Sequence, residues 1–181
     1  MCTIEHMVKQ QKLDTDKLKS VVHYVIQKTT GKSNVGKTVL YKILYFADFN
    51  FYERYNTLIT GETYKKIPYG PAPVHFDEIV QSLVNDEKIE VREKEFGGKK
   101  QFKYISLEEP KYSLSSEELN EIDKAISIIG SMNAVNASEY SHEDTPWKVS
   151  EMNEDLDPEL VFYRTPLYSV LAEEEEEDGY S

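Results

Sequence analysis

The sequence predicts a mainly α-helical fold: a single compact helical domain built around a buried central helix, with one small β-hairpin. Three observations carry this. Apolar residues recur at spacings of three and four in several stretches, which lines them along one face of a helix. The segment "KTVLYKILYFADFNFYERY" is apolar on nearly every side, as a buried helix must be. Finally, "KIEVREKEFGGKKQFKYISL" sets a Gly-Gly pair between two β-rich arms, which is a hairpin pattern.

Taken in order, Leu18, Val21, Val22, Val25 and Ile26 form the stripe of a first helix between Asp14 and Thr29. Asp14 or Thr15 can cap it. After a break at Gly31 to Asn34, the apolar helix is expected from Lys37 to Tyr55, with Ser33 or Asn34 as its cap. The stretch "NTLITGETYKKIPYGPAP" holds two Gly and three Pro and reads as turn and loop, with at most short extended pieces around Leu58 to Thr60 and Lys65 to Ile67. Pro73 is expected in the first turn of the next helix, whose stripe is Phe76, Ile79, Val80, Leu83 and Val84. The hairpin lies near residues 88–107. Ser115 and Glu118 make a capping box ahead of Leu119, Ile122, Ile126 and Ile129, and Gly130 is placed to stop that helix. A short helix is expected from Asn133 to His142, and the stretch after it reads as irregular or shortly helical. The organisation is therefore an N-terminal extension at 1–13, a domain at 14–170 and an acidic, disordered tail at 171–181.

Composition narrows the function. With 181 residues the chain can bury a core as one domain. Its net charge is -12, six of which fall in Glu173 to Asp178, so the remainder is also acidic and disfavours nucleic acid and anionic membrane. Cys2 is the single cysteine, which leaves no internal disulfide or Cys-based zinc site and points to a reducing cytoplasm. No stretch nears the roughly 18 apolar residues of a membrane span. The 13 Tyr and 7 Phe predict an aromatic core or an aromatic contact surface.

Three motifs invite chemistry. "GKSNVGKT", Gly31 to Thr38, matches the phosphate-loop pattern letter for letter, but that loop works only when a buried strand feeds it. Here the preceding segment has helical periodicity. "SHEDTPWK" gathers Ser141, His142, Glu143 and Asp144, yet a helical zinc motif needs a second His one turn on, where Pro146 stands. Neighbouring residues also point apart, which argues against a Ser-His pair. The helix, helix, loop, helix, hairpin order resembles that of a winged helix, but the helix that would enter the groove, Val74 to Glu87, carries Asp77, Glu78, Asp86 and Glu87 and no Lys or Arg, the wrong charge for phosphate. No catalytic, cofactor-binding or metal-binding residue is predicted.

Three stretches together carry a resemblance: "YKILYFADFNFYERYNTLITGETYKKIPYGPAP", "FDEIVQSLVNDEKI" and "SEYSHEDTPWKVSE". The chain resembles the Panacea domain, the SocA-like antitoxin domain also found in phage-associated proteins. The K-[IL]-L-Y-F-A run, the P-Y-G-P turn and the S-H-E-x-x-x-W segment, in that order, are its most specific elements. The resemblance implies a helical domain with a small hairpin, no catalysis, and a cognate protein toxin as partner, bound directly or delivered to a protease; a DNA-binding regulator of the same locus is the alternative. On this reading the expected partner-binding residues are Tyr64, Tyr69, Pro71, His142, Glu143 and Trp147. Oligomeric state is not legible.

Overall fold

Asp14 opens the first helix as expected, its carboxylate accepting from the Lys17 N–H at 3.0 Å. The computed structural model describes residues 11–172 and Gly179, the Phe96 side chain aside. Helix α1 spans Thr15–Thr29, α2 Lys37–Tyr55, α3 Phe76–Asn85, α4 Ser116–Ile129, α5 Ala134–His142 and α6 Thr145–Val149, with a 3-10 helix at Pro158–Tyr163. Four strands, β1 Tyr64–Ile67, β2 Gly70–Pro73, β3 Ile89–Phe96 and β4 Lys99–Ser106, pair into two separate antiparallel hairpins. The fold is mainly helical with a minor β component.

Helix α2 packs against α1, α4, α5, β2, β4 and the 3-10 helix. That explains its composition: Val39, Leu40, Ile43, Leu44, Phe46, Ala47, Phe49 and Phe51 are all buried. Tyr45 sits between Phe46, Phe49 and Tyr64 at ring separations of 4.9, 4.4 and 5.6 Å. Helix α4 opens with the expected capping box, Ser115 accepting from the Glu118 N–H while Glu118 accepts from the Ser115 N–H.

The second hairpin turns through Gly97 and Gly98, both at positive φ, 59° and 79°. Such a two-residue turn suits the twist of the flanking strands. Its register pairs Phe96 with Lys99 and Ile89 with Ser106.

Three local expectations are corrected. The stretch from Tyr64 to Pro73, expected as turn and loop with at most an extended piece at Lys65 to Ile67, pairs as a hairpin: Pro71 and Pro73 both lie on β2, an edge strand where a missing N–H costs little, while the other side of β1 is taken by residues 153–156. Pro73 ends β2 instead of starting a helix, and α3 begins at Phe76. Gly36 stands at the N-cap of α2 with no side-chain cap. Asn34 turns away and donates to Gly130 O and Met132 O, both at 2.8 Å, thereby tying the α1–α2 loop to the end of α4. The acidic run at Glu173 to Asp178 and residues 1–10 lie outside the described residues. Of the expected N-terminal extension, Gln11 is held by Leu58: it donates to Leu58 O at 3.0 Å and accepts from the Leu58 N–H at 2.8 Å.

Gly70 fits its place for two reasons. Its φ is 114°, and a Cβ there would overlap Lys42 Cε and Ser141 Oγ. Gly70→Ala is therefore expected to cost about 2–4 kcal/mol, combining backbone strain with overpacking. A urea midpoint within error of wild type would show that the β1–β2 turn can shift without cost.

Candidate functional site

A helix that buries Lys42, Tyr45, Asp48 and Glu53 must find partners for each of them. All four are buried, and each reaches a different segment. Lys42 Nζ donates to Pro71 O at 3.1 Å. The Tyr45 hydroxyl donates to Asp144 Oδ2 at 2.9 Å. Asp48 accepts from Thr60 N–H at 3.0 Å, Thr60 Oγ1 at 2.7 Å and the Tyr64 hydroxyl at 2.6 Å. Glu53 accepts from the Val170 N–H at 2.8 Å and from Ser169 Oγ at 3.0 Å.

Arg164 closes this set. It meets Asp144 with two parallel bonds, Nε to Oδ1 at 2.9 Å and Nη2 to Oδ2 at 2.8 Å. Its Nη1 donates to Asn50 Oδ1 at 2.8 Å and lies 3.4 Å from Glu53 Oε1. The three charged side chains are excluded from solvent. Thus α2 fastens the β1–β2 hairpin, the Ser141 to Trp147 segment and the C-terminal segment to one another through polar contacts.

The electrostatics follow from burial. Lys42 is drawn down to about 7 by loss of solvent, with no carboxylate paired to it among the described residues. Asp48 is pushed up to about 6 by burial, against the pull of its Tyr64 and Thr60 hydrogen bonds. Burial raises Tyr45, reinforced by the Asp144 charge. Arg164 behaves otherwise: burial works against its charge, but Asp144, Tyr45 and Glu53 outweigh it and its pKa rises.

Around this interior the expected site residues divide. Tyr64, expected among the partner-binding residues, is 1% exposed, because its hydroxyl is committed to Asp48 and its ring packs on Tyr45 and Phe49. Pro71 is also buried and serves through its carbonyl. Tyr69, at the tip between β1 and β2, is 70% exposed. Trp147 donates its indole N–H to Ile67 O at 3.1 Å, stacks on His142 at 4.1 Å and carries Lys66 Nζ 4.0 Å from its ring. His142 Nε2 is buried without a hydrogen-bond partner among the described residues. Glu143 is exposed and pairs with Lys148 at 3.1 Å. Beyond α6, Tyr163 and Leu167 stand 75% and 81% exposed.

The sequence reading missed Arg164 and Glu53. A signal was present: charged residues inside an otherwise apolar helix require buried partners, and Arg164 lies in a segment with few others. The chemical motifs resolve differently. The Gly31–Thr38 loop is entered by helix α1, where a phosphate cradle needs a strand, and Lys37 Nζ pairs with Asp77 at 2.7 Å. Ser141 Oγ donates to Ser138 O at 2.8 Å, and Asp144 is taken up by Arg164 and Tyr45. Among the described residues no cluster of three or more His, Cys, Asp or Glu could hold a metal ion, and no helix is long and apolar enough to cross a membrane.

The architecture defines a mainly helical domain with two small hairpins, its loops locked by a buried polar set beneath exposed aromatic side chains. The family model for the antitoxin SocA-like, Panacea domain matches residues 40–148, more than half of the chain, so the chain belongs to that family. No curated protein and no solved structure matches it. The match begins on α2 at Leu40 and ends just past Trp147, so it encloses Lys42, Tyr45, Gly70 and Asp144. Arg164, which completes the cluster, lies beyond it.

Proposed function

We propose that the chain is an antitoxin that neutralises a co-encoded toxin by binding it directly in the cytoplasm, through a domain spanning residues 14–170. Family membership supports an antitoxin-like role and a protein partner. The observation that carries direct binding is Tyr69: a large aromatic held out on a turn whose base is fixed by Lys42 to Pro71 O and by Trp147 to Ile67 O. An aromatic on a rigid support contributes contact area at low entropic cost, as interface anchors do.

The test is co-expression with the toxin of the same locus, scoring growth and then co-purification. Growth rescue with a stable complex supports direct neutralisation. Rescue with no complex shifts the mechanism to delivery of the toxin to a protease, and a toxin that stays fully lethal sinks the proposal for that pair. Within it, Tyr69→Ala is expected to weaken toxin binding about tenfold or more while leaving the melting temperature within a degree or two. Trp147→Ala is expected to lower the melting temperature as well, because it removes a hydrogen bond and two ring contacts. A Tyr69→Ala protein that rescues and binds like wild type would place the interface elsewhere.

A further inference from the structure

A second surface, absent from the sequence reading, lies between α3 and the β3–β4 hairpin. It is an open groove of about 850 Å³. Val80, Val84, Val91, Phe102, Tyr104 and Leu107 line it, and Phe102 and Leu107 remain 39% and 54% exposed. Register explains the apolar wall: Val91 pairs with Tyr104 and Glu93 with Phe102, so these side chains share the hairpin face with Ile89. Arg92, Lys94, Lys99 and Lys103 fall on the other face by the same alternation. Apolar surface gathered in a concavity marks an interaction site more than scattered exposed residues do.

Charge selects the occupant. The rim carries Asp77, Glu87 and Glu90 against Lys37 alone. Lys37 is engaged with Asp77 and Glu90 with Arg92, while Glu78 beside the groove and Glu87 on its rim form no ion pair among the described residues. From Phe76 to Glu87 there is no Lys or Arg. Length selects its form. The ten residues of α3 run about 15 Å at 1.5 Å each, which matches roughly three turns of a docked helix. We propose that this groove takes an amphipathic helical segment of the partner protein, with apolar side chains at i, i+3, i+4 and i+7 facing the floor and Lys or Arg along its flanks. A second copy docked groove to groove is the wrong partner, since it would set acidic rim against acidic rim. The proposal deepens the antitoxin reading and rests on it for the partner's identity, but the groove chemistry can be tested alone.

The probe is a synthetic amphipathic helix with a Leu face and Lys flanks, compared with the same peptide carrying Glu flanks, in titrations followed by fluorescence anisotropy on the full chain. The expected result is binding of the Lys peptide, at least about tenfold weaker binding of the Glu peptide, and a further loss of about tenfold or more in Phe102→Asp/Leu107→Asp. Both positions are exposed, and an unchanged circular dichroism spectrum verifies the fold. Tyr163→Asp/Leu167→Asp serves as a control for diffuse attraction and should bind as wild type does. Equal binding by the groove variant, or equal binding of both peptides, overturns the proposal, as does a protein that sediments as a dimer through this face. Rescue assays separate the two readings. If wild type neutralises the toxin and the groove variant does so equally, the groove proposal fails and the antitoxin reading stands. If the peptide binds in the groove while wild type never neutralises, the antitoxin reading fails and the groove stands.

Discussion

Asp144→Ala lowers the melting temperature by roughly 10 °C or more and loosens the C-terminal segment: that is the expected result for the most damaging single substitution. Asp144 is wholly buried and gives two oxygens to Arg164 and one of them also to Tyr45. Truncation leaves the guanidinium in the interior with Glu53 at 3.4 Å and Asn50 as its remaining partners. Breaking a buried pair in this way costs about 3–5 kcal/mol, because a desolvated charge loses its compensation. For a domain of this size each kcal/mol shifts the midpoint by about 2–4 °C. Tyr45→Phe, which removes a single hydrogen bond to the same carboxylate, should cost only about 1–2 kcal/mol. Hydrogen exchange supplies the local readout: amides near Val170, whose N–H is held by Glu53 in the Arg164 cluster, should lose protection before those of α1. A drop under about 2 °C would mean that Arg164 finds other partners and that the cluster does not hold the fold together.

How much of this was legible depends on which physical signal each feature leaves in sequence. Helices α1, α3 and α4 were readable because one face of each is buried, so Leu18 to Ile26, Phe76 to Val84 and Ile122 to Ile129 show the helical period. The β3–β4 hairpin was readable from Gly97-Gly98. The β1–β2 hairpin was not, since prolines mask strand propensity and its four-residue strands are too short to show alternation. Tyr64 and Tyr69 illustrate the limit for the site. Both are tyrosines near one turn, and only the fold shows that one is buried against Asp48 while the other projects into solvent. The cap of α2 was misread for a related reason: Asn34 has the right chemistry for a cap, but the end of α4, distant in sequence, offers its amide two carbonyls. Asp144 and Arg164 are twenty residues apart in sequence, and no local pattern announces that they meet inside the domain.

Lys42 supplies the second large effect, and its sign is opposite. The group sits in the interior with Pro71 O as its hydrogen-bond acceptor, and burial brings its pKa to about 7 from 10.5. Between those values the unfolded chain carries a proton that the folded chain does not, so stability rises with pH from about 7 to 10.5 and the penalty is constant below that window. The slope is about 1.4 kcal/mol per pH unit, which makes the full penalty on the order of 4 kcal/mol near neutrality. Lys42→Met removes the ammonium and keeps the length, at the cost of an unpaired Pro71 carbonyl worth about 1–3 kcal/mol. The variant is therefore expected to be more stable than wild type by about 2 kcal/mol at pH 7, with the difference shrinking as pH rises and reversing near pH 9. Asp48, pushed up to about 6, titrates below this window and leaves the comparison clean. Urea unfolding of both proteins at pH 7, 8.5 and 10 reads the effect directly. Parallel stability curves would show that Lys42 stays charged and solvated in the folded chain. The converging curves expected here carry a further consequence: Lys42 lowers stability near neutrality, yet its bond to Pro71 O fixes the turn that presents Tyr69. Lys42→Met should then be the rare variant that gains stability while losing toxin rescue.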